Sequence, residues 1–142
     1  MLTLESVPNV SEGRDRAGVD AIGAALGGRA RLLDVHSDAD HNRSVYTLVG
    51  SAEELADALV AGIACARERI DLRTHEGAHP RIGATDVVPI VPIVPGDMLH
   101  ARDAALALHS AGRSEEALAE LLNAIADEGD YERSLRAYAS EL

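Results

Sequence analysis

The sequence predicts an α+β fold, a ferredoxin-like sandwich in which a mostly antiparallel sheet carries helices on one face, with extra helices at the C-terminal end. Hydrophobic periodicity gives the order β-α-β-β-α-β over residues 3–94, which is the split βαβ arrangement. Both helices in that order carry a single apolar stripe, and such a stripe must be buried against a neighbouring layer. We expect one domain over residues 1–142.

The first four elements lie before residue 50. Residues 3–10 form a strand, followed by a polar turn, and residues 16–26 form a helix that ends at a pair of glycines. Residues 31–35 and 43–49 are the next two strands. Because only a short polar connection separates them, they are expected to pair as an antiparallel hairpin.

A capping box opens the second helix, with Ser51 at the N-cap position and Glu54 three residues later. Its apolar stripe comprises Leu55, Leu59, Ile63, Ala66 and Ile70. An apolar strand follows over residues 87–94. Its prolines cannot donate hydrogen bonds to a neighbouring strand, so the strand is expected at an edge or with irregular pairing.

Three helices are predicted after this strand. Asp97 is the expected N-cap of the first, which ends at Gly112 and has Met98, Ala101, Ala105 and Leu108 on one face. The other two span residues 114–127 and 131–142. Since their apolar stripes and an edge-like strand need cover, we expect a homodimer in which these two helices form the interface or cover the open sheet edge.

The composition describes a folded, acidic chain. It has 142 residues, 46% of them hydrophobic, with no Phe or Trp, so the core is built from aliphatic side chains. The net charge is −11 and every basic residue is Arg, which disfavours binding to nucleic acid or to an anionic membrane. Cys65 is the only cysteine, so no intrachain disulfide can form. Without a signal pattern or a long apolar run, a cytoplasmic protein is expected.

The segment 70–93 concentrates the chemically active side chains. It contains His75, His79, Arg81 and Asp86. Gly77 and Pro80 interrupt it, and such residues indicate irregular backbone, because Gly permits a positive φ and Pro fixes φ. Polar side chains on a loop next to a strand are typical of a functional site.

A zinc site is the alternative for two of these histidines, because residues 75–79 fit the pattern H-E-x-x-H. Both histidines bind zinc only when a helix brings them to one face. Gly77 weakens a helix, and Pro80 drives His79 away from helical backbone. We therefore expect no metal here.

Residues 75–93, HEGAHPRIGATDVVPIVPI, resemble the segment HKGEHPRMGATDVCPFVPV of glutamate formiminotransferases, in their N-terminal subdomain. Three further stretches agree in the same order: residues 7–13, 32–35 and 40–47. The resemblance covers about residues 4–110 and implies a similar α+β architecture. In this family a formimino group moves from formiminoglutamate to tetrahydrofolate, and the catalytic His falls on His79.

The resemblance also implies roles for other residues. His79 would be the general acid and base, since a neutral imidazole can take a proton from the attacking amine and return one to the leaving amine. The residues expected to bind substrate are Asn9, Glu12, His41, Arg43, His75, Arg81 and Asp86. Asn9 and Glu12 also have a plain interpretation as turn and helix-capping residues.

Two departures from the family pattern leave the function open. Where the family has LLDVD, residues 32–36 read LLDVH, so His36 replaces the second Asp. The family also continues into a further strand and a second subdomain, whereas residues 113–142 are expected to be a helical extension.

We therefore keep three hypotheses. The first is a small stand-alone enzyme in which His79 and His36 carry protons in an isomerisation, cyclisation or elimination of a small molecule, with no cofactor. The second is a formiminotransferase subunit that uses tetrahydrofolate and is completed by another chain. The third is a non-catalytic binding or assembly module.

Overall fold

A computed structural model of the chain describes residues 2–78 and 83–111. The described part contains six strands, three α-helices and a 3₁₀ turn. In chain order these are β1 (Leu4–Ser6), β2 (Asn9–Val10), α1 (Arg16–Gly27), β3 (Arg31–Asp38), β4 (Arg43–Gly50), α2 (Ala52–Arg69), β5 (Thr85–Val87), β6 (Ile90–Pro92), the 3₁₀ turn (Pro95–Asp97) and α3 (Met98–Ala111).

The strands form one sheet, and every pairing between described strands is antiparallel. Strand β4 lies between β3 on one side and β1 with β2 on the other, and β6 and β5 then pair with β1 and β2. Taking β1 with β2 as one strand, and β5 with β6 as another, the order across the sheet is fourth, first, third, second. This is the ferredoxin-like arrangement, and the predicted fold class is confirmed.

Two strands that the sequence predicts as continuous are each divided in the structure. Val7 and Pro8 separate β1 from β2, and Val88 and Pro89 separate β5 from β6. Proline has no N–H for the ladder, so pairing is interrupted at each site. The Pro8 carbonyl still accepts a hydrogen bond from the N–H of Tyr46 at 3.1 Å, which keeps the divided strand attached to β4.

The core lies between one face of the sheet and the helices. From β4, Tyr46 and Leu48 are fully buried on this face, together with Leu4 of β1. The Tyr46 hydroxyl donates to the carbonyl oxygen of Val19 in α1 at 2.9 Å, so the buried polar group has a partner. The other face of the sheet has no helix packed on it within the described residues.

The first two helices begin as the sequence predicts. The Asp15 side chain accepts a hydrogen bond from the N–H of Ala17 at the start of α1. In α2, the Ser51 hydroxyl accepts from the Glu54 N–H at 3.2 Å and the Glu54 carboxylate accepts from the Ser51 N–H at 2.8 Å, which confirms the capping box. Its predicted stripe is buried from Leu55 to Ala66, and Ile70 is the half-buried C-cap.

The start of α3 differs from the prediction. Asp97 ends a 3₁₀ turn that begins at Pro95 instead of capping the helix, and Met98 is 47% exposed. The buried face consists of Ala101, Ala104, Ala105 and Leu108, and it packs against α2 and β6. The proline starts a tighter turn before the helix, so Met98 precedes the buried stripe. The predicted stop at Gly112 and the helices 114–127 and 131–142 lie outside the described residues.

None of the three α-helices in the described part of the chain has the length and apolar character needed to span a bilayer. Cys65 lies half-buried on α2 and packs against the core, as its apolar surroundings in the sequence indicate.

Candidate functional site

Three loops meet at one end of the sheet. They follow β2, join β3 to β4, and precede β5, and their described residues are 11–15, 39–42, 70–78 and 83–84. They meet because antiparallel neighbours place the end of one strand beside the start of the next. The third loop belongs to the segment that the sequence identifies as chemically rich, and the structure describes it up to residue 78 and again from residue 83.

Asn42 joins these three loops. Its Oδ1 accepts a hydrogen bond from the Gly13 N–H at 2.9 Å, and its Nδ2 donates to the Glu76 carbonyl oxygen at 2.9 Å. Its φ of 53° lies in the left-handed region, which Asn tolerates better than most residues, and the residue is only 7% exposed. The side chain therefore acts as a buried bridge between loops that are distant in sequence.

Two glycines allow the loops to approach the β3–β4 turn. A Cβ on Gly13 would lie 2.4 Å from the carbonyl oxygen of Asp38, and a Cβ on Gly77 would lie 2.4 Å from that of His41. No described glycine has a positive φ. The expectation that Gly77 serves backbone flexibility is therefore replaced by a steric role, because only a residue without a side chain fits against the turn.

The far end of the third loop is held by a buried ion pair between Arg43 and Asp86, whose side chains are 10% and 1% exposed. The Asp86 carboxylate also accepts from the Gly83 N–H at 2.7 Å. Ser11 strengthens this anchor, because its hydroxyl donates to the Gly83 carbonyl oxygen at 2.9 Å. Both charged residues were predicted to bind substrate, and the structure shows them buried and bound to each other.

The two described histidines of the loops also bind neighbouring groups. His75 Nε2 lies 3.2 Å from the Asn42 carbonyl oxygen, and His41 Nδ1 lies 3.0 Å from Asp38 Oδ2. The pKa of Asp38 is lowered mainly by the hydrogen bond from the backbone N–H of His41, and next by the hydrogen bond from the imidazole of the same residue. His41 is half-exposed, so of the two its ring is the more accessible from solvent.

His36 lies on the face of the sheet opposite the helices. Its partner across β4 is Val45, Val45 faces Asn9 of β2, and Asn9 faces Val87 of β5. Because directly opposed residues of antiparallel strands point to the same side, these four side chains form one row across the open face. His36 is exposed, while Asn9 is half-buried and donates from Nδ2 to the Val7 carbonyl oxygen.

A cleft of about 340 Å³ lies beside the third loop, between the start of α1 and the end of α2. Its lining residues are Glu12, Arg14, Asp15, Asn42, Arg69, Ile70, Asp71, Thr74, His75 and Glu76. Glu12 Oε1 accepts the backbone N–H groups of Arg14 and Asp15 at 2.8 Å each, as expected of a turn residue. Another lining residue, Asp71, accepts a side-chain hydrogen bond from Arg73, and this bond lowers the pKa of Asp71 to about 2.

His79 and Arg81 lie outside the described residues, so their assigned roles stay predictions. What the structure describes is the anchoring on either side of them. The N–H of Ala78 donates to the Asp40 carbonyl oxygen at 3.1 Å, and the Ser11 N–H donates to the Ala84 carbonyl oxygen at 2.8 Å.

A metal site is not formed by the described side chains, since no three His, Cys, Asp or Glu residues among them converge on one point. His79 is absent from that set, so the expected absence of zinc also stays a prediction.

Sequence reasoning missed the organising roles of Asn42 and Ser11. The turn sequence Asp-His-Asn-Arg contains the only clue to the first, because Asn is several-fold enriched at positive φ. Nothing in the local sequence indicates that Ser11 binds a loop 72 positions away.

The profile of the formiminotransferase domain, N-terminal subdomain, matches residues 3–139. The chain is 48% identical over 95 residues to the glutamate formimidoyltransferase of Thermoplasma acidophilum and 47% over 92 residues to that of Streptococcus pyogenes serotype M1. It is also 42% identical over 93 residues to the formimidoyltransferase-cyclodeaminase of Gallus gallus.

These relatives are considerably longer than the matched region. The three alignments cover 66%, 63% and 64% of this chain, but 31%, 31% and 17% of the respective relatives. The matched part of the chain therefore spans less than a third of each.

Proposed function

Since this chain belongs to the family of formiminotransferase N-terminal subdomains, we propose that it forms one half of a glutamate formimidoyltransferase active site. The identity to two enzymes of that name supports the reaction. The family resemblance implies a second subdomain that completes the cleft, and the matched region covers 31% of each of these two enzymes. The substrates would be formiminoglutamate and tetrahydrofolate.

The proposed chemistry needs one group that both accepts and donates a proton. His79 has the required residue type, and the loop that contains it is attached on both sides. Asn42 fixes the backbone at Glu76, and Asp86 fixes it at Gly83. Proton transfer requires accurate placement of the imidazole, and these contacts hold the described backbone before and after His79.

One observation carries the location of the site. His36 and Asn9 lie in the same row of the open face, at the end of the sheet where the loop with His79 is anchored. No described helix covers this face. The face therefore offers polar side chains and half-buried valines to a flat ligand, and a second subdomain placed over it would enclose the two substrates.

A second function is favoured by His36 itself. Where the family has a carboxylate, this chain offers a second imidazole, and two imidazoles can exchange protons with a small molecule without a folate. The activity would be that of a stand-alone acid–base enzyme, catalysing an isomerisation, cyclisation or elimination without a cofactor. His79 and His36 would carry the protons.

Tetrahydrofolate binding distinguishes these proposals. Titration of the chain with tetrahydrofolate, followed by chemical-shift changes, should perturb the row at Asn9 and Val45. Replacing Asn9 with Ala should weaken binding about tenfold, the effect of one lost hydrogen bond. The matched control is Glu5→Gln, on the same face at the other end of the sheet, which should leave the affinity unchanged. Equal effects of the two variants, or no binding, would contradict the formimidoyltransferase proposal.

A further inference from the structure

The two edges of the sheet differ in how well they are protected from pairing. At one edge, β5 and β6 have three residues each, and Pro89 and Pro92 interrupt their hydrogen-bonding groups. At the other edge, β3 has eight residues and no proline, and in the described part of the chain it pairs only with β4. A long unblocked edge strand is a template for pairing with another chain.

Strand β3 also exposes apolar side chains. Leu33 is 50% exposed and Val35 is 38% exposed. Leu33 lies at a bulge, where the register with β4 shifts between Leu32 and Asp34. From residue 34 to residue 38 the pairing is regular, so this stretch presents an ordered row of backbone groups at the edge.

We infer that β3 pairs antiparallel with β3 of a second copy of this chain, about a two-fold axis through Val35. The two sheets then form one continuous sheet. In this register Val35 lies opposite Val35 of the second copy, and Asp34 lies opposite His36 of the second copy. The two-fold axis repeats the Asp–His contact, so each interface contains it twice.

The faces of the strand support this register. Val35 pairs with the buried Tyr46, so it points to the helix side, whereas Asp34 and His36 pair with Thr47 and Val45 on the open side. Opposed residues of antiparallel strands share a face. The axis through Val35 therefore joins two exposed apolar side chains on one face, and carboxylates with imidazoles on the other.

The neighbouring registers are unfavourable. An axis through His36 places Asp34 opposite Asp38 of the second copy, twice, and an axis through Asp34 places two Asp34 carboxylates against each other. Like charges directly opposite each other are destabilising. An axis between residues would pair side chains that point to different faces over residues 34–38. Of the axes through Asp34, Val35 and His36, only the one through Val35 avoids like-charge pairs.

The residue at position 36 is decisive in this arrangement. An aspartate at position 36, as in the motif LLDVD that this segment resembles, would lie opposite Asp34 of the second copy. The two carboxylates would repel each other and oppose pairing. His36 converts both contacts into attractive ones. The inference rests on the edge, the exposure and the charge pattern of β3, and it holds whether or not the chain binds folate.

Sedimentation equilibrium tests the inference through a charge exchange. The unaltered chain should be a dimer at micromolar concentration. His36→Asp should weaken the dimer at least about tenfold, because it creates two carboxylate–carboxylate contacts. The double variant Asp34→His with His36→Asp should restore dimerisation, because it recreates the pairs with the partners exchanged. Leu99→Ser, which alters a different exposed apolar residue, is the control and should leave the dimer unchanged.

Disulfide trapping tests the register itself, in a Cys65→Ser background. Val35→Cys places two thiols opposite each other across the axis, and mild oxidation should link the copies. Ser37→Cys on the same strand separates the thiols by about four residues, roughly 13 Å, which is beyond the reach of a disulfide. A folded monomer at all concentrations, a dimer that His36→Asp does not weaken, or equal linking of the two cysteine variants would overturn the inference.

Discussion

The side-chain amide of Asn42 donates a hydrogen bond to the main-chain carbonyl of Glu76, 34 positions later in the chain, at 2.9 Å. Through this bond the turn between β3 and β4 fixes the start of the loop that leads to His79. The same side chain accepts from Gly13, so the loop after β2 is attached as well. A single residue in left-handed backbone thus sets the relative positions of three loops.

Replacing Asn42 with Ala should destabilise the protein by about 2–3 kcal/mol. The change removes two hydrogen bonds of a buried residue and places an alanine at a positive φ. Asn42→Gly loses the same bonds but accepts the backbone geometry, so it should cost less than the alanine variant. Urea unfolding of the three proteins measures both differences. If alanine and glycine cost the same, the left-handed backbone contributes nothing to the effect.

The ion pair between Arg43 and Asp86 should behave as a buried unit. Arg43→Leu breaks a buried pair whose carboxylate is 1% exposed, and breaking such a pair costs about 3–5 kcal/mol. The double variant with Asp86→Asn removes both charges of the pair, so it should be less destabilised than the sum of the single changes. Additive unfolding free energies from the two single variants and the double variant would contradict coupling.

Tyr46 should make the protein less stable at high pH. Burial raises the pKa of Tyr46 to about 12, above its value of 10.0 in an unfolded chain. A raised pKa means that the folded state keeps the proton longer, so its contribution is fully present below pH 10 and is lost as the pH rises through 12. The loss over this window is about 2–3 kcal/mol, at 1.36 kcal/mol per pH unit.

Tyr46→Phe provides the comparison. Its urea-unfolding free energy should fall less between pH 10 and pH 12 than that of the unaltered chain. The window is favourable because the chain has no Lys, and because the two proteins share every titratable group except Tyr46. Parallel pH curves for the two proteins would show that the buried hydroxyl does not couple to folding.

Much of the fold could be predicted because its signals are local. The capping box at Ser51 and the stripe from Leu55 to Ala66 depend on neighbouring residues alone, and both appear as expected. The hairpin of β3 and β4 follows from a short connection and two apolar runs. Met98 was misplaced because the effect of Pro95 on the start of a helix depends on whether a 3₁₀ turn forms, which periodicity does not reveal.

The sequence predicted an irregular loop but not the tertiary contacts that hold it. The Gly and Pro residues around His79 mark an irregular loop, and the structure has a loop up to residue 78 and again before β5. The sequence did not indicate that Arg43 and Asp86 bind each other, because their partnership depends on tertiary contacts over 43 positions. Nor did it distinguish a glycine needed for φ from one, such as Gly77, needed for close approach.

His79→Ala should keep the fold and abolish activity. Gly77 and Pro80 predict a loop at this residue and not a core stripe, so we expect its removal to leave the packing intact, whereas the reaction would lose its proton acceptor and donor. Thermal unfolding should change by less than that of Asn42→Ala, and the turnover of the chain completed by a second subdomain should fall by at least about 100-fold. His100→Ala, a change on α3, serves as the control with unchanged turnover. An active His79→Ala protein at the same pH contradicts the catalytic assignment.

The last prediction concerns formimidoyl transfer itself. This chain alone should not transfer a formimino group to tetrahydrofolate at a useful rate, because the two substrates must be held together and orientation supplies much of the rate in such a reaction. In the proposed function the open face binds one side of a ligand, and the family resemblance assigns the other side to a second subdomain. Adding the second subdomain of a glutamate formimidoyltransferase as a separate chain should raise the rate.

The folate product, followed spectroscopically, reports the reaction with formiminoglutamate. The control is a mixture of the added subdomain with the His79→Ala chain. It should stay inactive, because it differs from the active mixture only in the acid–base group. Turnover above about one per second by this chain alone, within the ordinary enzyme range, would mean that the second half is dispensable. The open face around His36 and Asn9 would then be the whole binding site rather than one wall of it.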